Sequence, residues 1–467
     1  MKITFFGAAG GVTGSKHLIE VGGYKLLLDC GLHQGKRSVV EVWNRNLPFK
    51  AGEIDAVILS HGHLDHCGAL PILVRDGFRG SIYCSDSTAD IVRCMLEDSG
   101  MLQEQIANDL NSKRTEGEFI TPLYTQDDAK RVFSHLAPHP YVRESHSWIT
   151  LNEFIRFKLY DAGHILGSSV ILLEIREGVV KKTLAFTGDL GREDVPIIHS
   201  REYIEEEVDT LVMECTYGNK NHRPISDVAG DLKEIIATIV HTKGKVIVPA
   251  FSLGRTQELI YALHKLADAR EIPRIPIYID SPLAQSFTEI FSRHQGDFSD
   301  AVMHEFKARG ESPFAFKDLT YTHGVEESKI LNKKQGPFMV ISASGMSEGG
   351  RVLHHLKHGV ENPSNIILIT GYQAEDTLGR KIKDGVSPVM ILGELHKVRA
   401  QIRVLDELSA HADQSGLLSY LAHTKEIKNL FLVHTEMPQA MTFKEMVTTL
   451  YSSLRVEIPT RGESFEV

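Results

Sequence analysis

The sequence contains no run of 18 consecutive apolar residues, so it offers no membrane-spanning helix. Its start, Met1-Lys2-Ile3-Thr4-Phe5-Phe6, is already strand-like and lacks the basic stretch and apolar segment of an export signal. Cysteine is scarce. The five present, Cys30, Cys67, Cys84, Cys94 and Cys215, are odd in number and never spaced Cys-x-x-Cys, which argues against a disulfide framework and a zinc finger and fits a reducing cytoplasm. A basic excess is missing too: the formal charge of −10 speaks against a broad basic surface that coats nucleic acid. Divalent ions and a few clustered arginines can still make one cleft positive on an acidic body. No low-complexity tract or repeat of fixed period interrupts the chain.

What remains is a chain of 467 residues, 42% hydrophobic and 24% charged, the composition of a soluble globular protein. It is too long for one ordinary core, so two domains, or one with a large insertion, are expected. The densest chemistry lies in Ser60-His61-Gly62-His63-Leu64-Asp65-His66, directly after the apolar run Ala56-Val57-Ile58-Leu59, which reads as a buried strand delivering a loop. Imidazole nitrogen and carboxylate oxygen are what Zn²⁺ takes, and a loop can bend them toward two neighbouring ions as one helix face could not. The same design recurs. A strand through Tyr160 meets Asp161-Ala162-Gly163-His164, Leu184-Ala185-Phe186 leads to Gly188-Asp189, and Asn429-Leu430-Phe431-Leu432-Val433 ends in His434. Asp29, at the end of Tyr24-Lys25-Leu26-Leu27-Leu28, is expected to orient a metal-site loop by hydrogen bonding. The glycine run Gly7 to Gly14 lacks the Gly-Lys-Ser/Thr ending of a phosphate loop and reads as a turn between strands.

From about Ser87 to Leu136 the pattern is helical, with a cap at Thr125. Up to Glu214 the texture is β-rich; after it, single strands and helices alternate, which implies a parallel sheet with ligands at the carboxyl ends of its strands. Three of the strand-to-helix loops there carry a Gly-Arg pair: Gly254-Arg255, Gly350-Arg351 and Gly379-Arg380. With Ser344 and Gly345 in the same kind of loop, they suggest a track for several phosphates. His354 and His358, four apart on one helix, read as a polar face, and His396 as surface. Leu408 to Asp413 reads as the start of a helix.

Assembled, the residues suit a two-metal hydrolase: His61, His63 and His164 on one ion, Asp65, His66 and His434 on the other, and Asp189 between them. Asp65 also orients the attacking oxygen. The departing oxygen of a phosphodiester needs a proton, for which His411, beside Asp413 and oriented by Glu214, is the candidate; the alternatives are an eighth ligand or a helix cap for His411 and a structural acid for Glu214.

These residues resemble the β-CASP branch of the metallo-β-lactamase superfamily over nearly the whole chain. Asp29 matches its first motif, His61-x-His63-x-Asp65-His66 the second, His164 the third and Asp189 the fourth. Glu214 in Glu-Cys-Thr-Tyr-Gly, His411 in Ser-Ala-His-Ala-Asp and His434 match the branch's motifs A, B and C, and Asp280-Ser281-Pro282-Leu283-Ala284 adds to the likeness. The resemblance implies an α/β fold in which an αββα metallo-β-lactamase domain (1–212 and 393–467) is interrupted by a parallel-sheet β-CASP domain (213–392), with the active site in the cleft between them. It implies two Zn²⁺ per chain and phosphodiester cleavage that leaves a 5′-phosphate and a 3′-hydroxyl. Histidine at motif C is similar to the RNA-acting members, whereas Thr435 departs from the usual glycine after it. A zinc-dependent ribonuclease is therefore expected, endonucleolytic with 5′-to-3′ exonuclease activity as an addition, acting on single-stranded RNA in the cytoplasm away from membranes, with a homodimer left open. A DNA nuclease, a small-molecule metallo-hydrolase and a non-catalytic RNA-binding scaffold are the competing expectations. The KH-type domains of archaeal relatives and the C-terminal domain of RNase J are not expected.

Overall fold

The computed structural model describes residues 1–35, 37–112, 119–307 and 310–467, so part of the expected helical stretch, 113–118, lies outside the described residues. The chain divides into two compact units: one of Met1–Val195, His199–Asn221 and His411–Val467, the other of Pro196–Ile198 and His222–Ala410.

The first unit is built on two seven-stranded sheets. One runs, in spatial order, Glu463–Glu466, Lys2–Gly7, Lys16–Val21, Tyr24–Leu28, Ala56–Ile58, Ser81–Cys84 and Leu136–Pro138. The other runs Arg455–Glu457, Asn429–Val433, Thr210–Glu214, Val180–Phe186, Ser169–Glu177, Ile155–Asp161 and Ile149–Thr150. Alternate side chains of the two sheets meet in one core, Phe5, Ile19, Leu28 and Ile58 facing Phe157, Ile171, Phe186 and Phe431. Emptying one such position, as in Phe431→Ala, costs about 3–5 kcal/mol. The second sheet's other face, with Leu172, Leu211 and Leu430, packs on Leu417, Tyr420, Phe443 and Val447 of the helices Gln414–His423 and Met437–Leu450. The helix Asp86–Ser112 contacts the strand Leu136–Pro138 of the first sheet, completing an αββα sandwich. The cap expected at Thr125 is present as a capping box with Asp128.

The second unit carries a six-stranded sheet in the order Leu319–Tyr321, Ile277–Ile279, Phe338–Ser342, Lys245–Pro249, Ile366–Ile369, Gln401–Val404, every pair parallel. Its four inner strands are mostly apolar because helices cover the sheet: Ile247, Val340, Ile367 and Ile369 pack with Val352, Leu356 and Ile382. The strand Gln401–Val404 pairs with Ile366–Ile369, so this stretch extends the parallel sheet of the second unit. The five cysteines are unpaired. Among the described residues no helix is long and apolar enough to cross a membrane.

Candidate metal centre

Parallel pairing sets three chain ends side by side. The strands Val180–Phe186, Thr210–Glu214 and Asn429–Val433 pair in parallel and in sequence, so Asp189, Glu214 and His434 emerge at one edge of their sheet. Ala56–Ile58 delivers His61 and His63, with His63 at the N-cap of the short helix Leu64–Cys67 that carries Asp65 and His66. His164 follows Ile155–Asp161. These loops meet without room for side chains at two glycines: a β-carbon on Gly31 would overlap the Asp65 carbonyl, and one on Gly191 the Gly163 carbonyl beside His164.

His61 Nε2 lies 3.1 Å from His63 Nδ1, which is 3.4 Å from His164 Nε2. Asp189 Oδ2 stands 3.5 Å from His61 Nε2 and 3.4 Å from His164 Nε2. The other carboxylate oxygen, Oδ1, is 3.3 Å from His66 Nε2, and Asp65 Oδ2 is 3.8 Å from His66 Nε2 and 3.3 Å from His434 Nε2. Four atoms at about 2.0–2.1 Å from one tetrahedral ion stand about 3.3 Å from each other, so the spacing is that of ligands around a cation. His66 Nε2 and Asp189 Oδ1 are buried with no hydrogen-bond partner. Lone pairs gathered at this distance repel unless a proton or a metal ion sits between them. The donor set thus suits two divalent ions, with the two oxygens of Asp189 turned to different clusters.

A second layer fixes which ring nitrogen is free. Asp29, wholly buried, accepts from the Ser60 amide at 2.8 Å and from the Ser60 and Ser15 hydroxyls at 3.0 Å each. Its Oδ2 also lies 2.7 Å from His66 Nδ1, so that nitrogen donates and Nε2 is the one turned to the cluster. His434 is set by Thr216, whose hydroxyl donates to the His434 carbonyl and accepts from its Nδ1, both at 3.0 Å. His434 itself adopts φ 50°, and its amide donates to the Ala8 carbonyl.

His411 Nδ1 is 2.9 and 3.2 Å from the two oxygens of Glu214, and its Nε2 is 3.9 Å from Asp189 Oδ2. Glu214 is fully buried and also accepts from the Leu190 amide at 2.7 Å. The expected helix start is corrected here. Gln414–His423 begins after His411, with Asp413 as N-cap accepting from the Gly416 amide, and His411 is extended in a bridge to Gly191. His411 is therefore no helix cap. It lies within ligand-ligand distance of Asp189 and His434, so both the proton donor and the eighth ligand fit the geometry.

Without ions, electrostatics divides the histidines. Burial holds His61 and His164 well below the usual imidazole range and His63 at about 4, leaving them neutral for metal. Burial also works against charge on His66 and His411, but carboxylates outweigh it: Asp189, Asp29 and Asp65 push His66 up, and Glu214 with Asp189 raises His411 to about 9.

Residues 10–214 match the family model of the metallo-beta-lactamase superfamily, 256–382 that of the Beta-Casp domain, and 395–459 that of the Zn-dependent metallo-hydrolase RNA specificity domain. The chain belongs to the β-CASP branch of the metallo-β-lactamase superfamily. This β-CASP chain is 35% identical to Ribonuclease TTHA0252 of Thermus thermophilus over 93% of either chain. It is 30% identical to an RNase J-like protein of Methanocaldococcus jannaschii, covering 94% of this chain and 93% of that one. It is 28% identical to transcription termination factor FttA of the same organism, covering 97% of this chain and 69% of that one. A protein of unknown function from Enterococcus faecalis V583 shares the fold, with a TM-score of 0.54, 13% identity, and coverage of 100% of this chain and 99% of that one.

The arginines of the β-CASP sheet follow three of its strands as expected, but each already holds a carboxylate. Arg255 pairs with Glu258 at 2.5 Å, Arg351 with Asp280 at 2.7 Å and Arg380 with Asp384 at 2.7 Å. The Gly345 carbonyl accepts from Gln373, and the Ser344 carbonyl from the Ser347 amide. Three side chains that pattern reasoning passed over hold these networks: Ser60, Thr216 and His355, the last 2.6 Å from Asp280 Oδ2. Serine and threonine carry no pattern of their own. The signal for His355 was the buried side of a helix read from its neighbours as a polar face.

Proposed function

We propose that this chain is a two-zinc ribonuclease that cuts internal phosphodiester bonds of single-stranded RNA, leaving a 5′-phosphate and a 3′-hydroxyl, and that it also degrades RNA from the 5′ end. The observation that carries the reading is the pair of donor clusters sharing the two oxygens of Asp189, with His411 on Glu214 beside them. Two Zn²⁺ ions bound there would polarise the phosphoryl oxygen and activate water near neutral pH. His61, His63 and His164 would hold one, Asp65, His66 and His434 the other, and Asp189 would reach both.

The chain's own groups supply the rest. Asp65, partly open to solvent, orients the attacking water and takes its proton. As the bond from phosphorus to the 3′ oxygen breaks, the His411 imidazolium gives its Nε2 proton to that oxygen, and Glu214 stabilises the charge on the ring until it is spent. In the β-CASP sheet, Arg351 and Arg380 contact RNA phosphates by exchanging carboxylate for phosphate, which the guanidinium fork binds equally well. Ser344, Gly345 and the more buried Arg255 shape that loop cluster.

The relatives bearing the names of ribonucleases support RNA over DNA, as does His434. Matched 5′-labelled single-stranded RNA and DNA of one sequence test the reading, with zinc added or chelated. Discrete internal cuts in RNA that vanish on chelation are expected. Equal cutting of DNA would overturn the substrate, and no cleavage of RNA by the zinc-loaded protein would overturn the activity.

A further inference from the structure

Arg461 and Trp43 form a stack on the surface of the first unit. The Arg461 guanidinium carbon lies 4.3 Å from the centre of the Trp43 ring, which is 41% exposed in the helix Arg37–Arg45. Among the described residues Arg461 makes no hydrogen bond or ion pair. The nearest acid along the chain, Glu463, is occupied by the amide and hydroxyl of Thr460. A stacked guanidinium presents its five N–H donors edgewise, so this one offers a full fork with no anion on it.

The His33 imidazole meets the Trp43 edge at 5.2 Å between ring centres, and Lys16 lies below, its ammonium held by the Gly14 and Gly31 carbonyls rather than by any carboxylate. Burial first, then the charges of Lys16 and Arg461, lower His33 to about 3, so its ring is neutral, and burial lowers Lys16 to about 8. An exposed indole and an unused arginine fork are what one nucleotide of a single strand needs: a face for its base and donors for its phosphate.

Position ties this stack to the metal centre. His33 lies against Gly14, where a β-carbon would enter its ring, and the next residue, Ser15, donates its amide to the Asp65 carbonyl. At the other end of the same loop Ala8 accepts from the His434 amide, and Gly462, beside Arg461, donates to Phe5 in the strand leading into that loop. Gly10 and Gly11 between them have open space around them. We infer that Trp43 and Arg461 form a nucleotide subsite for the substrate strand on the first unit, the indole stacking on a base and the guanidinium binding its phosphate. The inference rests on the RNA reading above.

The test uses the full chain loaded with zinc and carrying Trp148→Phe and His411→Ala, so that Trp43 is the sole indole of the two in the sequence and the strand stays whole. A short oligouridylate is titrated while Trp43 emission is read, and a fluorescein-labelled copy gives the Kd by anisotropy. Quenching is expected to follow the anisotropy curve. Trp43→Ala should weaken Kd by roughly five- to a hundredfold, with Trp43→Phe recovering most of it. Arg461→Ala should flatten the slope of log Kd against log salt by about 0.7, one phosphate's share on a single strand. Binding by anisotropy with unchanged Trp43 emission and an unaltered Trp43→Ala Kd would overturn the subsite and leave the ribonuclease reading intact. No binding at any RNA concentration would remove both.

Discussion

His434 has two ring nitrogens and only one can face an ion. Thr216 decides which, through a hydroxyl that accepts from Nδ1 and donates to the same residue's carbonyl. Thr216→Val keeps the shape and loses the acceptor, so competition with a chelating dye should show affinity for one ion falling by about 10–100-fold, the usual cost of losing a ligand's orienting partner. Thr216→Ser should retain it. His411 raises the complementary question, since its Nε2 lies within reach of Asp189 yet its Nδ1 is anchored on Glu214. As a proton donor, His411→Ala should slow RNA cleavage by roughly 10²–10⁴-fold while metal analysis still finds both ions. Loss of an ion in that variant would make His411 a ligand instead. The candidate ligands were legible in the sequence because each follows an apolar strand and carries a metal-type side chain. Thr216 and Ser60 were not, because neutral hydroxyls are common everywhere and only tertiary contact gives these two a partner.

At the scale of elements, the strand ends and the helix starts place the chemistry. The sequence reads Leu408 to Asp413 as the start of a helix, but the helix begins only at Gln414. Asp413 caps it because its carboxylate takes both the Gly416 amide and the Ser415 hydroxyl, which leaves His411 extended and pointed at Glu214. In the second unit, Asp280 ends the strand Ile277–Ile279 and gathers Thr322, Ser328, Arg351 and His355 from three other segments, the last two from one helix and its cap. Burial alone would raise its pKa, but these donors hold the Asp280 carboxyl well below the usual carboxylate range. A carboxyl depressed on folding contributes stability that is present above its ordinary value of 3.8 and is lost as pH falls through that value toward the folded one. Asp280→Asn should therefore cost about 3–5 kcal/mol near neutral pH, the range for breaking a buried pair. In urea titrations the gap between wild type and variant should narrow below about pH 4. A gap independent of pH would show that the carboxylate's charge is not what holds the hub. The parallel-sheet character of this unit was legible in its alternation of single strands and helices. The pairing of each arginine with a carboxylate was not, because acids such as Glu258 and Asp384 differ in no way from solvated ones until the helix brings them round.

Over the whole molecule, the double sandwich and the parallel sheet divide the labour that composition alone could not divide. A net charge of −10 sits on a chain whose candidate chemistry is cationic only where ions and a few arginines are concentrated. Texture reads a change of architecture near Glu214. The contact boundaries, at Asn221 and Ala410, depend on which sheet each strand joins, and pairing across hundreds of residues leaves no local mark. The account stands on two ions acting together at Asp189. It is tested most directly by stripping the protein with a chelator and returning Zn²⁺ in measured steps while following both bound metal and cleavage of a labelled single-stranded RNA. Cleavage should be absent from the stripped protein and rise chiefly with the second equivalent per chain, and Asp189→Asn should abolish that rise. Cleavage by the stripped protein, or full activity with one ion bound, would contradict it.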